Sequence, residues 1–197
     1  MNARTASAIA PAIVLAVALT SAPRSIAAEP AAKPLPAAAV TFDGRTLELV
    51  WEGEIPGGMA REFVPAGERP DAWTRLASIR TYSGEQDPKA LAVSLVTGIK
   101  AESPQAPCSI RQDAATGNVL VDYVFWPADA SSVEFNVFRF AKAPGGGVVA
   151  HQYAIREHRD PKGFIEELRP VRERLLGEMA AGLGPVRTAA ADGPPAR

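Results

Sequence analysis

Cys108, His151 and Asp122 are the residues of this 197-residue chain whose side chains are best suited to a reaction. The sequence contains one cysteine and two histidines. A thiol acts as a nucleophile when a nearby cation or a helix N-terminus lowers its pKa, and a histidine beside it accepts the proton. One hypothesis is therefore a hydrolase or thiol enzyme that uses Cys108 together with His151.

The patterns around these residues favour structural roles. Cys108 begins a predicted strand, where a lone thiol packs as a small buried residue. His151 alternates with Val149, Tyr153 and Ile155, which is typical of a half-buried histidine on a strand. We therefore interpret both residues as structural rather than catalytic.

The second histidine, His158, lies seven residues after His151. On one continuous strand this odd spacing sends the two side chains to opposite faces, so they do not share a metal ion. The sequence also lacks the GxxxxGK[ST] and GxSxG motifs, and its glycine run at 143–149 predicts a hairpin turn. We expect no catalytic, cofactor-binding or metal-binding residues. The candidates for a pocket or a recognition surface are Trp73, Cys108, Asp122, His151 and Tyr153.

Asp122 lies in the middle of an apolar strand pattern at 118–126. An unpaired carboxylate is costly to bury, so an arginine on a neighbouring strand should pair with it. Arg111 and Arg139 are the predicted partners. On the next strand pattern, Glu134 and Asn136 alternate on one face, which predicts a polar edge.

Trp73 lies in the connection between two strand patterns, close to Asp71. We predict a single helical turn capped by that aspartate, with the indole folded under the connection. The alternative is that Trp73 stacks on a ligand, because aromatic residues on loops often mark recognition sites.

The first 27 residues have the pattern of a secretory signal peptide. A basic start precedes an apolar stretch from Ala6 to Leu19. This stretch is shorter than a helix that crosses a bilayer, which needs about 20 residues. Removing this segment changes the formal net charge from −1 to −3, because Arg4 and Arg24 leave with it. We expect a periplasmic or secreted protein with no nucleic-acid partner and no transmembrane segment in the mature chain.

The remaining chain divides into three parts. Residues 28–39 and 182–197 are rich in proline, alanine and glycine and are predicted to be a flexible lead-in and a disordered tail. Residues 40–181 are predicted to form a single domain. With one cysteine, the chain has no intramolecular disulfide and depends on apolar burial.

Caps and turns place the elements of this domain. Asp43-Gly44 predicts a hairpin whose second strand turns Leu47, Leu49 and Trp51 to one face. Two helices are predicted, each with an aspartate cap followed by a proline, at Asp87-Pro88 and Asp160-Pro161. Pro170 is expected to kink or divide the second helix.

The predicted fold is α+β: a mostly antiparallel sheet of about seven strands in the order β-β-β-α-β-β-β-β-α, with two helices packed on it. Several strands are apolar on both sides. Either the helices cover opposite faces, or one face forms a pocket.

The stretch from Phe63 to Thr74 has the form F/Y-x-P-x-G-E…W-T, and a cysteine at a strand start follows later. These features resemble a group of small exported bacterial proteins, and this resemblance implies no particular activity. The element order resembles that of PsbP-like α+β sandwiches, which implies an accessory or binding role.

We therefore predict a non-catalytic binding or accessory module that needs no cofactor. Its expected partner is an envelope protein or a small apolar ligand. The alternatives are the thiol enzyme, a helix-grip protein that encloses a lipid beneath its last helix, and a secreted effector.

Overall fold

Nine strands form one antiparallel sheet in the computed structural model, which describes residues 35–84, 86–126, 132–158 and 160–188. The predicted signal peptide lies outside these residues, as do residues 28–34 of the lead-in and residues 189–197 of the tail. The strands are β1 Ala38–Phe42, β2 Arg45–Ile55, β3 Gly58–Val64, β4 Arg75–Tyr82, β5 Cys108–Gln112, β6 Val119–Phe125, β7 Val133–Lys142, β8 Val148–Glu157 and β9 Arg187–Thr188. The helices are α1 Pro88–Glu102 and α2 Pro161–Ala181. The strand order across the sheet is β5-β6-β7-β8-β4-β3-β2-β1-β9.

The helices begin where local chemistry predicts. The Asp87 side chain accepts a hydrogen bond from the Ala90 amide, and the Asp160 side chain accepts one from Gly163 at 2.9 Å. Pro170 lies inside α2, which nevertheless continues to Ala181 without division. The proline is on the exposed side of the helix, where water can bind the carbonyl that lacks its usual donor.

The two helices cover opposite faces of the sheet, which we call the α1 face and the α2 face. Under α2, the aromatic residues Phe42, Phe63, Phe135 and Tyr153 form the centre of the larger core. Under α1, the core contains Val121, Tyr123, Phe138 and Phe140, among other residues. This arrangement explains why the central strands are apolar on both sides, because each face is buried against its own helix.

The α+β class, the two helices and the antiparallel sheet agree with the prediction, but the strand count does not. The sheet has nine strands among the described residues rather than about seven. Residues 182–188 are not a loose tail: the Leu183 side chain is only 8% exposed, and Arg187–Thr188 pair with β1. The lead-in likewise becomes a strand at Ala38. Pairing with β1 orders this end of the chain although its sequence lacks a strand pattern.

Candidate functional site

A group of polar side chains lies on the α1 face beside the helix. Helix α1 packs mainly on β5, β6 and β7, and the same face continues over β8, β4 and β3. Buried polar residues are costly unless they are satisfied, so their concentration in one place is informative. We call this group the sheet-face polar cluster, and its members are Glu62, Ser78, Arg80, Asn136 and Gln152.

Hydrogen bonds hold Arg80 at the centre of the cluster. Its Nε donates to Ser78 Oγ at 3.3 Å, and its Nη2 donates to Gln152 Oε1 at 3.1 Å. Gln152 in turn donates to Asn136 Oδ1 at 2.8 Å. The Arg80 guanidinium also lies over the Phe138 ring, 5.8 Å from its centroid. Arg80 is only 7% exposed, yet the described residues supply no carboxylate within ion-pair distance of it.

Glu62 is the acidic member of the cluster. It pairs with Ser78 across β3 and β4, so its side chain is on the same face as Arg80, one diagonal step away. Burial raises the pKa of Glu62, and the charge of Arg80 opposes this rise only in part. Within the described part of the chain, Glu62 makes no hydrogen bond or ion pair. The cluster therefore combines a half-buried carboxyl that has free acceptors with a buried cation that, among the described residues, has no carboxylate within ion-pair distance.

Trp51 borders the cluster because of a β-bulge. The pairing of β2 with β3 shifts between Leu49 and Trp51, which places Trp51 opposite Glu62 on the α1 face. The prediction that Trp51 shares a face with Leu47 and Leu49 is therefore wrong. Strict alternation cannot account for the extra residue, Val50, that a bulge inserts.

The Trp51 indole lies over Gly53, two residues along the same strand. A Cβ atom on Gly53 would come within 2.6 Å of Trp51 Cζ2, so only glycine leaves room for the ring. Trp51 is 37% exposed and presents an aromatic surface beside Glu62. Sequence reasoning missed this site, although the Trp-x-Gly spacing in a strand was a usable signal.

Trp73, the aromatic candidate from the sequence, is buried instead. Its side chain is 6% exposed and packs with Val64 and Leu76, and the Arg156 guanidinium lies 3.7 Å from its ring centroid. Glu134 binds the same arginine at 2.7 Å. In place of the predicted helical turn, the connection contains a tight turn in which the Ala72 amide donates to the Arg69 carbonyl at 3.0 Å. Trp73 thus fastens this connection to the sheet.

Cys108 and His151 lie on opposite faces. Cys108 pairs with Tyr123 on the α1 face, whereas His151 pairs with Arg139 on the α2 face. Burial raises the pKa of the Cys108 thiol despite the opposing effect of Lys100. The alternative hypothesis of a thiol enzyme that uses Cys108 with His151 does not fit this geometry, because the sheet separates the two side chains.

His151 accepts a hydrogen bond from the Leu183 amide at 3.0 Å through Nδ1, so its proton is on Nε2. Burial, together with the charge of Arg139, lowers the pKa of His151 to about 4. The imidazole is neutral at physiological pH and holds the end of α2 against the sheet.

Asp122 pairs with Arg172 of α2 rather than with Arg111 or Arg139. Two hydrogen bonds of 2.8 and 2.9 Å join the carboxylate to the guanidinium. Arg111 binds Glu173 instead. The helix supplies a partner 50 positions away in sequence, and only its docking on the sheet reveals it.

Glu134 and Asn136 do not form a polar edge, because β7 is an interior strand between β6 and β8. Both side chains are instead bonded to residues of β8, Glu134 to Arg156 and Asn136 to Gln152.

Tyr153 lies fully buried beneath α2. Its hydroxyl donates to Asp43 Oδ2 at 3.1 Å, and Arg174 of α2 donates to the other oxygen of Asp43 at 2.6 Å. Burial and the charge of Asp43 raise the pKa of Tyr153. These contacts join the first hairpin, the sheet and α2.

Two kinds of site are absent from the described ranges. These ranges contain no group of three or more histidine, cysteine, aspartate or glutamate side chains placed to hold a metal ion. No helix within them is both long enough and apolar enough to span a membrane.

The fold and the cluster define an α+β protein with a polar, partly open sheet face. A protein-family model matches residues 35–182, and the chain belongs to this family, whose function is uncharacterised. The match covers both helices and eight of the nine strands; only β9 lies outside it. None of the curated proteins matches the chain.

Proposed function

We propose that this protein is an exported, non-catalytic binding module that holds a saccharide on the α1 face, stacked on Trp51 and hydrogen-bonded to Glu62 and Arg80. The observation that carries the proposal is the half-buried Glu62 carboxyl, which makes no hydrogen bond or ion pair among the described residues and lies beside the buried Arg80. Ionisable groups in such surroundings are typical of functional sites.

The chemistry of the three side chains selects this ligand class. A sugar ring has a C–H face that packs on an indole, and Trp51 presents such a surface. Sugar hydroxyls both donate and accept hydrogen bonds, so one ligand can donate to Glu62 and accept from Arg80. A neutral saccharide meets both groups without adding charge to the buried site.

The sequence predicted an envelope protein or a small apolar ligand as the partner. The charged side chains of Glu62 and Arg80 favour a polar ligand at this site instead. A helix-grip protein needs an open space between α2 and the sheet. That space is filled by Phe42, Phe63, Phe135 and Tyr153 and by the apolar stripe of α2. We therefore do not propose a lipid ligand.

The periplasm is the proposed location, from the pattern of the first 27 residues.

Calorimetric titration of the purified protein with neutral oligosaccharides tests the proposal, using oligomers of glucose and of N-acetylglucosamine and soluble peptidoglycan fragments. We expect at least one of these classes to bind. Trp51→Ala and Glu62→Gln should each weaken that binding by about tenfold or more, the effect of losing a stacked ring or a charged acceptor. The control, Glu54→Gln, removes an exposed carboxylate from the same region of β2 and should bind like the wild type.

The Glu62→Gln variant has a second expected property. Because the folded-state pKa of Glu62 is raised, ionisation of this carboxyl opposes folding at neutral pH and not at acidic pH. Glu62→Gln should therefore unfold at a higher temperature than the wild type at pH 7. If no saccharide binds, or if Glu62→Gln binds as tightly as the wild type, the proposal is wrong.

A further inference from the structure

A second feature lies on the opposite side of the sheet from the proposed saccharide site. A cavity of about 250 Å³ opens between the β5–β6 hairpin and the end of α2. Its lining includes Arg111, Asn118, Leu120, Arg139 and Ala180. The network of ion pairs beneath α2 leaves this cavity with an unmatched positive charge.

Arg139 is the source of that charge. Its Nε atom is buried, and it has no hydrogen-bond partner among the described residues. A buried donor that stays unsatisfied destabilises a protein, so such a group calls for an explanation. The cross-strand neighbour of Arg139 is His151, which carries no negative charge and whose pKa is lowered chiefly by burial and further by the charge of the arginine.

Two acidic residues near the cavity already bind other arginines. Arg172 binds Asp122 through two hydrogen bonds, and Arg111 binds Glu173 through two more, each 3.0 Å long. Neither carboxylate is within ion-pair distance of Arg139.

A third carboxylate, that of Asp113, borders the cavity. Its Oδ1 accepts hydrogen bonds from the amides of Ala115 and Thr116, which fixes it in the hairpin turn. Asp113 is fully exposed, so water screens its charge.

We propose that this cavity binds a small oxyanion, a carboxylate or a phosphate group, through the guanidinium of Arg139. The planar guanidinium matches the two oxygens of either group. Arg111 and the Asn118 side chain border the same space. Arg111 uses two of its five N–H donors on Glu173, so further donors remain beside the cavity. The cavity volume corresponds to about eight water molecules, which suits an acid of a few carbon atoms.

Thermal unfolding and calorimetry with sodium acetate, sodium succinate and inorganic phosphate test this site, each against sodium chloride at equal ionic strength. We expect the wild type to be stabilised by a carboxylate or by phosphate beyond the chloride effect, and the preferred anion identifies the ligand group. Arg139→Leu should abolish that increment. In the absence of anions this variant should be as stable as the wild type, because it removes an unsatisfied donor.

Arg187→Leu is the matched control, because it removes the same charge from an exposed position on β9. It should respond to anions like the wild type. Arg139→Lys keeps the charge but loses the two-pronged geometry and should bind about tenfold more weakly. If Arg139→Leu folds poorly, the anion response of Arg139→Lys tests the site in its place. An equal anion response in wild type, Arg139→Leu and Arg139→Lys, or no response beyond chloride in the wild type, would overturn the proposal.

Discussion

Arg172 on α2 donates two hydrogen bonds to the carboxylate of Asp122 on β6, from Nε at 2.8 Å and from Nη2 at 2.9 Å. The Asp122 side chain is 7% exposed and that of Arg172 is 32% exposed. The carboxylate is thus buried, whereas the arginine keeps access to water. This pair fixes α2 on the sheet, and its unequal burial has a measurable consequence.

Removing the arginine should cost more stability than removing the carboxylate. Arg172→Met leaves a buried carboxylate unpaired, for which we expect a loss of about 3 to 5 kcal/mol in the free energy of unfolding. Asp122→Asn leaves an arginine that still reaches Glu173 and solvent, so about 1 to 3 kcal/mol should be lost. Urea denaturation measures both values.

The control for this comparison is Arg111→Met, which breaks the exposed pair with Glu173 and should cost less than about 1 kcal/mol. Equal losses for Arg172→Met and Arg111→Met would contradict the buried-pair interpretation.

His151 should make stability depend on pH. Its folded-state pKa is about 4, below the ordinary value of 6.5, so the unfolded chain binds the proton more tightly. The stability that the neutral imidazole provides is complete above pH 6.5 and is lost as the pH falls towards 4. The loss should be on the order of 2 kcal/mol, allowing for partial exposure.

His151→Asn isolates this effect, because an asparagine oxygen can replace Nδ1 as the acceptor for Leu183 but does not titrate. The difference in unfolding free energy between wild type and variant should shrink from pH 7 to pH 4.5. His158→Asn, at an exposed position, should leave the pH profile unchanged. Parallel profiles for wild type and His151→Asn would show that His151 is not the titrating group.

Gly53 should control the position of the Trp51 ring. In Gly53→Ala the new Cβ meets Cζ2 of the indole, which must turn outwards. The ring has room in solvent, so the unfolding free energy should change by less than about 1 kcal/mol. Quenching of tryptophan fluorescence by acrylamide should therefore increase in Gly53→Ala. Adding Gly53→Ala to the Trp51→Phe variant should leave its quenching unchanged.

Gly98→Ala serves as the comparison, since a Cβ there meets no atom within 4 Å and alanine favours α1. It should stabilise the protein by about 0.5 to 1 kcal/mol without altering quenching. Unchanged quenching in Gly53→Ala would mean that the indole does not depend on the glycine.

Cys108 should react slowly with thiol reagents. Its pKa is raised, chiefly by burial, and its Sγ lies 3.4 Å from the Ala106 carbonyl oxygen. Because the thiolate is the reactive form, modification by Ellman's reagent at pH 7.5 should be several-fold slower in the native protein than in the unfolded chain. Cys108→Ser gives the background rate. Faster modification of the native protein would restore the hypothesis of an activated thiol.

Much of the fold follows from local patterns. The cap at Asp87 and the turn at Asp43-Gly44 are correctly placed, because each depends on contacts within a few residues. The apolar character of β6 on both sides correctly indicated burial on both faces. The candidate site was not predictable in the same way, since Trp51, Glu62 and Arg80 come together only after a bulge and a strand pairing are known.

The sequence by itself determined where helices and hairpins begin, since a cap or a turn brings its own donors, acceptors and backbone angles. Tertiary structure decided which distant groups meet: Arg172 with Asp122, Leu183 with His151, and Trp51 with Glu62. The physical reason is that these contacts depend on strand order, register and helix docking. Those features minimise the free energy of the whole chain and leave no local pattern at the residues they join.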